Sequence, residues 1–299
     1  ANVSVQTNES SATVEPTIEG PTRIKASPAA RRQAAETGVS LASAVGSGPG
    51  GRILSTDLMA SGSSAASPVS GTETGVRRPL SKMRRAIGTN LQRSKQTIPH
   101  FYVQRTVDAA KLSHFYEQQK PLTGCSLNDL IVLAVGRTMR DFPDFRSQLD
   151  GDEIIEFPHA NIGIAVGVEG GLIVPVVKHV DTLSLVDLAK ESQRVVSAGR
   201  NGVIENLGEG NFTISNLGMY GVEQFSAIIN PPESGILAVG SIRESVIVQN
   251  GWMRPGKVMT LTLGADHRIV DGVLAARFME RLIEILENPA HQLSCCALT

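Results

Sequence analysis

A histidine near the end of the chain is followed four residues later by an aspartate. His267 and Asp271 lie in the run DHRIVDG, which follows an apolar predicted strand, KVMTLTL, after two small residues. A histidine at a strand end can present one ring nitrogen to a cleft, and its unperturbed pKa of about 6.5 suits a general base acting on a thiol. A histidine beside charged residues is more often structural, so this spacing alone does not establish a catalytic site.

The sequence around this histidine predicts an α/β domain. Helical periodicity predicts helices over residues 79–95, 108–119 and 126–140, and a capping sequence at Ser184 predicts another helix to about residue 198. The last predicted helix, VLAARFMERLIEILE, ends at Asn288-Pro289. Strands are predicted at FYVQRTV, EIIEF, NIGIAVGV, GLIVPVV, NFTIS, FSAIIN, GILAVG, SVIVQ and KVMTLTL. Together these elements predict one mixed sheet covered by helices.

The N-terminal quarter of the chain has a different composition. Residues 1–22 and 60–76 are rich in small and polar side chains and are predicted to be linkers, because such segments bury too little apolar surface to offset chain entropy. Between them, residues 23–59 predict a small all-α domain. Ser27-Pro28 begins its first helix, Gly38 ends that helix, and the loop GSGPGGR leads to a short second helix at STDLM. The α/β domain is predicted over residues 77–299.

Composition excludes several classes of protein. The formal net charge of -1 argues against a dedicated nucleic-acid binder, and no apolar run approaches the roughly 18 residues of a membrane span. The three cysteines form no CxxC pair, which favours a reducing compartment, and no metal-ligand spacing is present. No signal or transit segment is visible, so we expect a protein that is not secreted, cytoplasmic if bacterial and in the mitochondrial matrix if eukaryotic.

The run DHRIVDG is similar to the DHRxxDG signature of dihydrolipoamide acyltransferases, the E2 components of 2-oxo acid dehydrogenase complexes. The segments SKQTIPHFYV (94–103) and NFTISNLGMYGVEQFSAIINPPESGILAVG (211–240) resemble the same family, and the second is most similar to its pyruvate dehydrogenase branch. The resemblance extends from residue 77 to about residue 290. It implies a fold like that of chloramphenicol acetyltransferase and transfer of an acyl group, here acetyl, from dihydrolipoamide to coenzyme A.

The resemblance also implies roles for individual residues. His267 would remove the proton of the coenzyme A thiol, which at a pKa of about 8.5 is mostly protonated at neutral pH. The Ser215 hydroxyl would stabilise the negative charge on the carbonyl oxygen, although Ser215-Asn216-Leu217-Gly218 taken alone is typical of a turn. Asp271 would shape the loop through an ion pair, with Arg84 or Arg85 as its candidate partner, rather than complete a triad.

Further residues are candidates for binding substrate. Residues 77–105 contain eight Lys or Arg residues and no acidic residue, which is typical of a solvated basic helix but also attracts phosphates or acidic partners. Arg84 and Arg85 are therefore candidate contacts for coenzyme A. His100 and Asn216 are candidates to line the same site, and a packed, hydrogen-bonded role is equally consistent for His100.

The small domain, RIKASPAARRQAAETGVSLASAVGSGPGGRILSTDLM, resembles the peripheral subunit-binding domain of the same enzymes. That resemblance implies binding of dihydrolipoamide dehydrogenase (E3) or of the decarboxylase (E1). Arg31 and Arg52 match the family's contacts with partner carboxylates, and Arg32 adds to the basic face. A further family arginine falls at Ala35, so one contact is missing. A generic helical hairpin between linkers is the alternative.

The family implies a homo-oligomer in which trimers, with active sites between subunits, build a hollow core of roughly 24 or 60 chains. It also implies a covalent lipoyl group, on a lipoyl domain that this chain does not show, with coenzyme A as a substrate and no metal. Two alternatives remain: a non-catalytic scaffold that binds E3, and a free-standing acetyltransferase of the chloramphenicol type. The presence of His267 and Ser215 argues against the first, and the docking domain and linkers argue against the second.

Overall fold

A computed structural model of the chain describes residues 24–61 and 75–294. The predicted linker at 1–22, most of the linker at 60–76, and Cys295 and Cys296 lie outside these ranges. The chain divides into two compact units, Ala1–Arg77 and Arg78–Thr299.

In the smaller unit, helix α1 (Pro28–Thr37) begins and ends at the predicted signals. The Ser27 hydroxyl accepts a hydrogen bond from the Ala30 N–H, and Gly38 ends the helix with a φ of 72°. After a short 3-10 turn at Leu41–Ser43, the loop leads to α2 (Ser55–Ser61). A small core forms from the buried side chains of Ala30, Ala34, Ile53 and Leu58. The unit is therefore all-α within its described residues, as predicted.

The centre of the larger unit is a seven-stranded mixed sheet. In sheet order its strands are β1 (His100–Asp108), β11 (Trp252–Asp266), β9 (Gly235–Val239), β8 (Phe212–Asn216), β4 (Ile162–Ile164) and β7 (Val176–Val177), and β10 (Arg243–Gln249) also pairs with β11. Strand β8 runs parallel to β9 and β4, while the other pairs are antiparallel. Two small hairpins lie apart from it: β2 (Ser147–Asp150) with β3 (Glu153–Glu156), and β5 (Val166–Val168) with β6 (Gly171–Ile173).

Helices cover this sheet, as predicted. They are α3 (Lys82–Thr97), α4 (Ala110–Thr123), α5 (Leu127–Asp141), α6 (Leu185–Arg200), α7 (Gly272–Glu287) and α8 (Pro289–Leu293), and 3-10 turns occur at Pro143–Arg146 and Gly218–Tyr220. In α7 the side chains of Phe278, Leu282 and Ile285 form a buried apolar stripe. The Phe278 ring packs against those of Phe145 and Phe212, which joins the helix layer to the sheet.

One predicted strand is absent. Residues 225–230 (FSAIIN) belong to no strand, because side chains rather than a neighbouring strand bind their backbone groups. The Ser94 hydroxyl donates to the Ile229 carbonyl at 2.6 Å, and the Tyr102 hydroxyl donates to the Ala227 carbonyl at 3.1 Å. The segment therefore lies as an extended strap across α3 and β1.

A buried glutamate anchors the end of this strap. The carboxylate of Glu233 accepts hydrogen bonds from the Thr213 hydroxyl (2.5 Å) and from the side-chain amide of Asn230 (2.8 Å). Burial raises the pKa of Glu233 from 4.5 to about 7, because the charged form loses its hydration, and the two hydrogen bonds only partly oppose this.

Replacing Glu233 should change how stability depends on pH. Between pH 4.5 and about 7 the unfolded chain releases a proton that the folded chain keeps at Glu233. The stabilisation from this residue is therefore complete below the unfolded pKa and is lost as the pH rises through 7, with a slope of up to about 1.4 kcal/mol per pH unit. Glu233→Gln removes this titration, so denaturant unfolding should show the variant gaining stability relative to wild type across that range. Glu280→Gln, on an exposed position of α7, is the matched control. A constant difference between Glu233→Gln and wild type from pH 4.5 to 8 would contradict the assignment.

Candidate active site

The loop that carries His267 is folded around a buried carboxylate. Asp266, the last residue of β11, is only 2% exposed and accepts hydrogen bonds from the guanidinium of Arg268 at 2.6 and 2.9 Å. Its backbone carbonyl accepts from the N–H groups of Ile269 and Val270, which closes a tight turn. The residues on either side of His267, the buried Asp266 and the exposed Arg268, thus form a bidentate pair, and the His267 side chain is exposed. Sequence reasoning did not single out Asp266 or Arg268.

The His267 side chain is exposed but not loosely held. Its backbone N–H donates to the Pro99 carbonyl at 3.0 Å, and its ring packs edge-on against Phe101, with 4.7 Å between the ring centroids. Neither ring nitrogen forms a hydrogen bond with any residue in the described ranges. An imidazole in a fixed position with free nitrogens can accept a proton from a bound substrate.

Asp271 begins helix α7. Its carboxylate accepts a hydrogen bond from the Leu274 N–H at 2.8 Å, which is the geometry of an N-cap. Across residues 24–61 and 75–294, no ion pair joins Asp271 to Arg84 or Arg85. Within one chain, therefore, Asp271 shapes the loop by fixing where α7 starts, and the ion pair anticipated from sequence is not formed.

Ser215 lies near the end of β8 and is half-buried. Its hydroxyl has no hydrogen-bond partner in the part of the chain that the structure describes. The next residue, Asn216, uses both ends of its side chain: Oδ1 accepts from the Gly218 N–H at 2.9 Å, and Nδ2 donates to the side-chain oxygen of Asn128 at 3.1 Å. Asn216 thus holds the turn with both ends of its side chain, and one N–H of its amide nitrogen is left over.

Ser215 and His267 lie at opposite ends of the sheet. Ser215 is opposite Ala238 in β9, Ala238 is opposite Thr262 in β11, and His267 comes five residues after Thr262. With about 3.3 Å per residue along a strand and about 4.8 Å between strands, their Cα atoms are roughly 19 Å apart. Side chains of this size cannot bridge that distance. Both residues can act on one substrate only if two copies of the chain meet.

His100 has a structural role. One ring nitrogen, Nδ1, lies 2.8 Å from the Ile98 carbonyl, and Nε2 accepts from the Ile229 N–H at 3.1 Å. Burial lowers the pKa of His100, which favours the neutral ring that this pattern requires. His100 therefore fastens the strap at residues 225–230, and the packed alternative for this histidine is the one that the structure supports.

The basic residues of α3 form an open groove. Arg84 and Arg85 are exposed and form no ion pair within the described residues. The groove is lined by Lys82, Arg85, Ala86, Thr89, Asn90 and Arg93. Its cationic side chains are available to an anionic ligand.

The side chains of Arg31, Arg32 and Arg52 in the smaller unit are also exposed. Arg31 donates to the Ile24 carbonyl at 3.2 Å, so part of its guanidinium supports the unit's own loop. Neither Arg32 nor Arg52 has a side-chain hydrogen bond within the described residues. Their charges are therefore presented to solvent.

Two features are absent from residues 24–61 and 75–294. In these ranges no group of three or more His, Cys, Asp or Glu residues could hold a metal ion. The same part of the chain contains no helix long and apolar enough to cross a membrane.

Two family models match the chain. Residues 72–294 match the catalytic domain of the 2-oxoacid dehydrogenase acyltransferases, and residues 24–59 match the E3-binding domain. The second match covers the unit in which Arg31, Arg32 and Arg52 are exposed.

Proteins similar in sequence to this chain share one name with each other. The dihydrolipoyllysine-residue acetyltransferase component of the pyruvate dehydrogenase complex of Rickettsia bellii is 37% identical over 281 residues, which cover 90% of this chain and 67% of that protein. The component of the same name from Zymomonas mobilis is 37% identical over 89% of this chain and 66% of its own length. The mitochondrial component of Schizosaccharomyces pombe is 35% identical over 89% of this chain and 61% of its own length.

Solved structures that are similar to this chain belong to the same kind of enzyme. A probable dihydrolipoamide acetyltransferase from Listeria monocytogenes superposes with a TM-score of 0.69 at 30% identity, covering 76% of this chain and 98% of that one. The dihydrolipoamide acetyltransferase of Azotobacter vinelandii gives 0.70 at 30% identity, covering 73% and 94%. The catalytic-domain model matches well over half of the chain, and relatives above 30% identity cover most of it. The chain therefore belongs to the 2-oxoacid dehydrogenase acyltransferases, and it carries an E3-binding domain ahead of its catalytic domain.

Proposed function

We propose that the protein is the acetyltransferase (E2) of a pyruvate dehydrogenase complex, which transfers an acetyl group from dihydrolipoamide to coenzyme A. His267 is the general base, Ser215 stabilises the oxyanion, and Asp271 supports the loop. Relatives named for this activity support the choice of acetyl over other acyl groups. The proposed compartment is the cytoplasm or the mitochondrial matrix, since relatives are both bacterial and mitochondrial.

The spacing of the two proposed catalytic residues carries this assignment. In the Azotobacter vinelandii enzyme, the residues studied for their role in the catalytic mechanism are a serine, a histidine 52 positions later and an asparagine four positions after that. In this chain His267 follows Ser215 by the same 52 positions, and Asp271 follows His267 by four. Aspartate and asparagine are about equally good N-caps, whereas only aspartate forms an ion pair. The exchange therefore favours helix capping as the role of this position.

Each of these residues has one step in the proposed transfer. The exposed ring of His267 takes the proton from the coenzyme A thiol, and the resulting thiolate attacks the carbonyl carbon of the acetyl thioester. As the new carbon–sulfur bond forms, negative charge moves to the carbonyl oxygen, where the unpartnered Ser215 hydroxyl donates a hydrogen bond. The bond to the dihydrolipoamide sulfur then breaks, and the imidazolium returns the proton to that sulfur.

Each site needs two chains, because Ser215 and His267 are roughly 19 Å apart within one chain. In a closed ring of copies, Ser215 of each subunit can lie next to His267 of the following subunit. A trimer is such a closed ring. A related solved structure is the cubic core of a pyruvate dehydrogenase complex, with a TM-score of 0.71 and 30% identity. We therefore propose that trimers of this chain build a larger core.

Partner binding is proposed for the basic surfaces. Arg84 and Arg85 attract the phosphates of coenzyme A to the groove along α3, and the exposed guanidiniums of Arg32 and Arg52, with that of Arg31, pair with carboxylates of E3 or E1. Coenzyme A and the lipoyl group, carried on a lipoyl domain, act here as substrates, and no step of the reaction needs a metal.

Removing either catalytic side chain should abolish most of the activity. We expect His267→Ala to lower kcat for acetyl-coenzyme A formation from acetyl-dihydrolipoamide by about 10²–10⁴-fold. Ser215→Ala should lower it by about 10²–10³-fold. His114→Ala on α4 and Ser197→Ala on α6 are the matched controls. A wild-type protein without activity would instead support the alternative function, a non-catalytic scaffold that binds E3, and an active His267→Ala variant would refute the choice of base.

Mixing the two inactive variants should restore activity. If each site takes its histidine from one subunit and its serine from the next, random mixed trimers of His267→Ala and Ser215→Ala chains contain intact sites in about one quarter of positions. Co-expression of the two variants should therefore give about a quarter of the wild-type kcat per chain, while each variant alone stays inactive. If the co-expressed protein is as inactive as either variant, the two residues do not meet between subunits.

Neutralising the docking arginines should weaken partner binding without affecting catalysis. We expect the double variant Arg32→Ala/Arg52→Ala to bind E3 or E1 at least tenfold more weakly, as measured by calorimetry at constant salt, because charge-assisted hydrogen bonds are lost. Acetyl transfer by the same protein should be unchanged. Arg200→Ala, an exposed arginine at the end of α6, is the matched control. Unchanged binding of both partners would place the docking surface elsewhere.

A further inference from the structure

The first turn of α5 contacts the turn that carries Ser215. Asn128, the second residue of α5, accepts a hydrogen bond from the side-chain amide of Asn216 at 3.1 Å, across 88 residues of sequence. From this contact we infer that Asn128 is a positioning residue for Ser215, an inference that rests on the proposed role of Ser215 in catalysis.

The direction of the hydrogen bonds allows only one arrangement. The Gly218 backbone N–H can only donate, so the Asn216 side chain must turn its oxygen toward it, at 2.9 Å. The Asn216 amide nitrogen then faces Asn128, which must present an oxygen to accept the bond. A residue without an acceptor at position 128 leaves the Asn216 amide unpaired on this side.

The helix start that carries Asn128 is held in place by two sets of hydrogen bonds. The Ser126 hydroxyl accepts from the Asp129 N–H, and the Asp129 carboxylate accepts from the Ser126 N–H at 2.7 Å, which forms a capping box at the start of α5. The other oxygen of the buried Asp129 carboxylate accepts from the Ser192 hydroxyl of α6 at 2.5 Å. The helix start that carries Asn128 is thus fixed to a second helix.

The Ser215 hydroxyl depends on this support. No residue in the described ranges binds the hydroxyl, so where it can reach a substrate depends on where the backbone of residues 215–218 places the Cβ atom of Ser215. A Cβ atom on Gly218 would lie 2.9 Å from the Gly240 carbonyl oxygen, so the turn is packed tightly against the strand end on that side. The Asn128–Asn216 hydrogen bond holds the other side, and its loss would let the turn shift and displace the end of β8 that carries Ser215.

The full-length Asn128→Ala protein should show a specific defect in the chemical step. We expect kcat for acetyl transfer to fall by about tenfold or more, since small misplacements of a catalytic group are costly, with the KM for coenzyme A changed by less than about twofold. In the Ser215→Ala background the same substitution should lower kcat by less than about twofold, because its effect passes through Ser215. Asp187→Ala removes the carboxylate that binds Ser184 at the start of α6 and serves as a control for lost helix capping. It should leave kcat within about twofold of wild type.

The outcomes separate this inference from the proposed function. A Ser215→Ala protein with wild-type activity would refute the role of Ser215 itself. If Ser215→Ala is impaired but Asn128→Ala retains wild-type kcat, the positioning role fails while the proposed function stands. Equal losses from Asn128→Ala in the wild-type and Ser215→Ala backgrounds would also overturn it, because independent effects multiply. A melting temperature near that of wild type for Asn128→Ala separates the defect from unfolding.

Discussion

Strand β11 sets the geometry on which the catalytic domain depends. It pairs with β1 over nine residue pairs from His100 to Asp108, with β9 on its other side, and with β10 nearer its start. A slip of one residue in any of these pairings would turn every buried side chain toward the opposite face, so the register is strongly fixed. The positions of His267, just past the end of β11, and of Ser215 on β8 are therefore fixed relative to each other. Side-chain motion within one chain cannot bring them together, so the proposed shared role of Ser215 and His267 requires association of chains.

Each half of the site is rigid before the halves meet. At the histidine end, the buried Asp266 carboxylate and Arg268 hold the turn, and the Asp266 N–H donates to the Ser234 carbonyl beside the strap. At the serine end, a Cβ atom on Gly240 would lie 2.0 Å from the Glu223 carbonyl oxygen, which shows how closely the chain segments approach there. Catalytic groups act efficiently when such supports hold them near the reactive geometry. An interface between two rigid halves can therefore form a site without rearranging either one.

The parts of this structure that were predictable from sequence are those with local causes. Helix α7 begins at Gly272 and ends at Glu287, next to the predicted bounds, because the run VLAARFMERLIEILE and the Asn288-Pro289 stop are local signals. The strap at residues 225–230 has the composition of a strand, yet its backbone is bound by Ser94, His100 and Tyr102 from elsewhere in the chain. Asn128 was not predictable for the same reason, since its role exists only through a contact with a residue 88 positions away.

Exposure of the two proposed catalytic groups in the single chain has a consequence for the chemistry. In water, an exposed imidazole and a free hydroxyl are solvated, and their electrostatic effect on a substrate is weak. When a second chain covers them, water is displaced and the same hydrogen bond from Ser215 to a developing oxyanion becomes much stronger. In the proposed mechanism, assembly therefore does more than bring Ser215 and His267 within reach of one thioester. It would also supply the low-dielectric surroundings in which both groups become effective, so a dissociated chain would lack the environment of the reaction as well as half of the proposed residues.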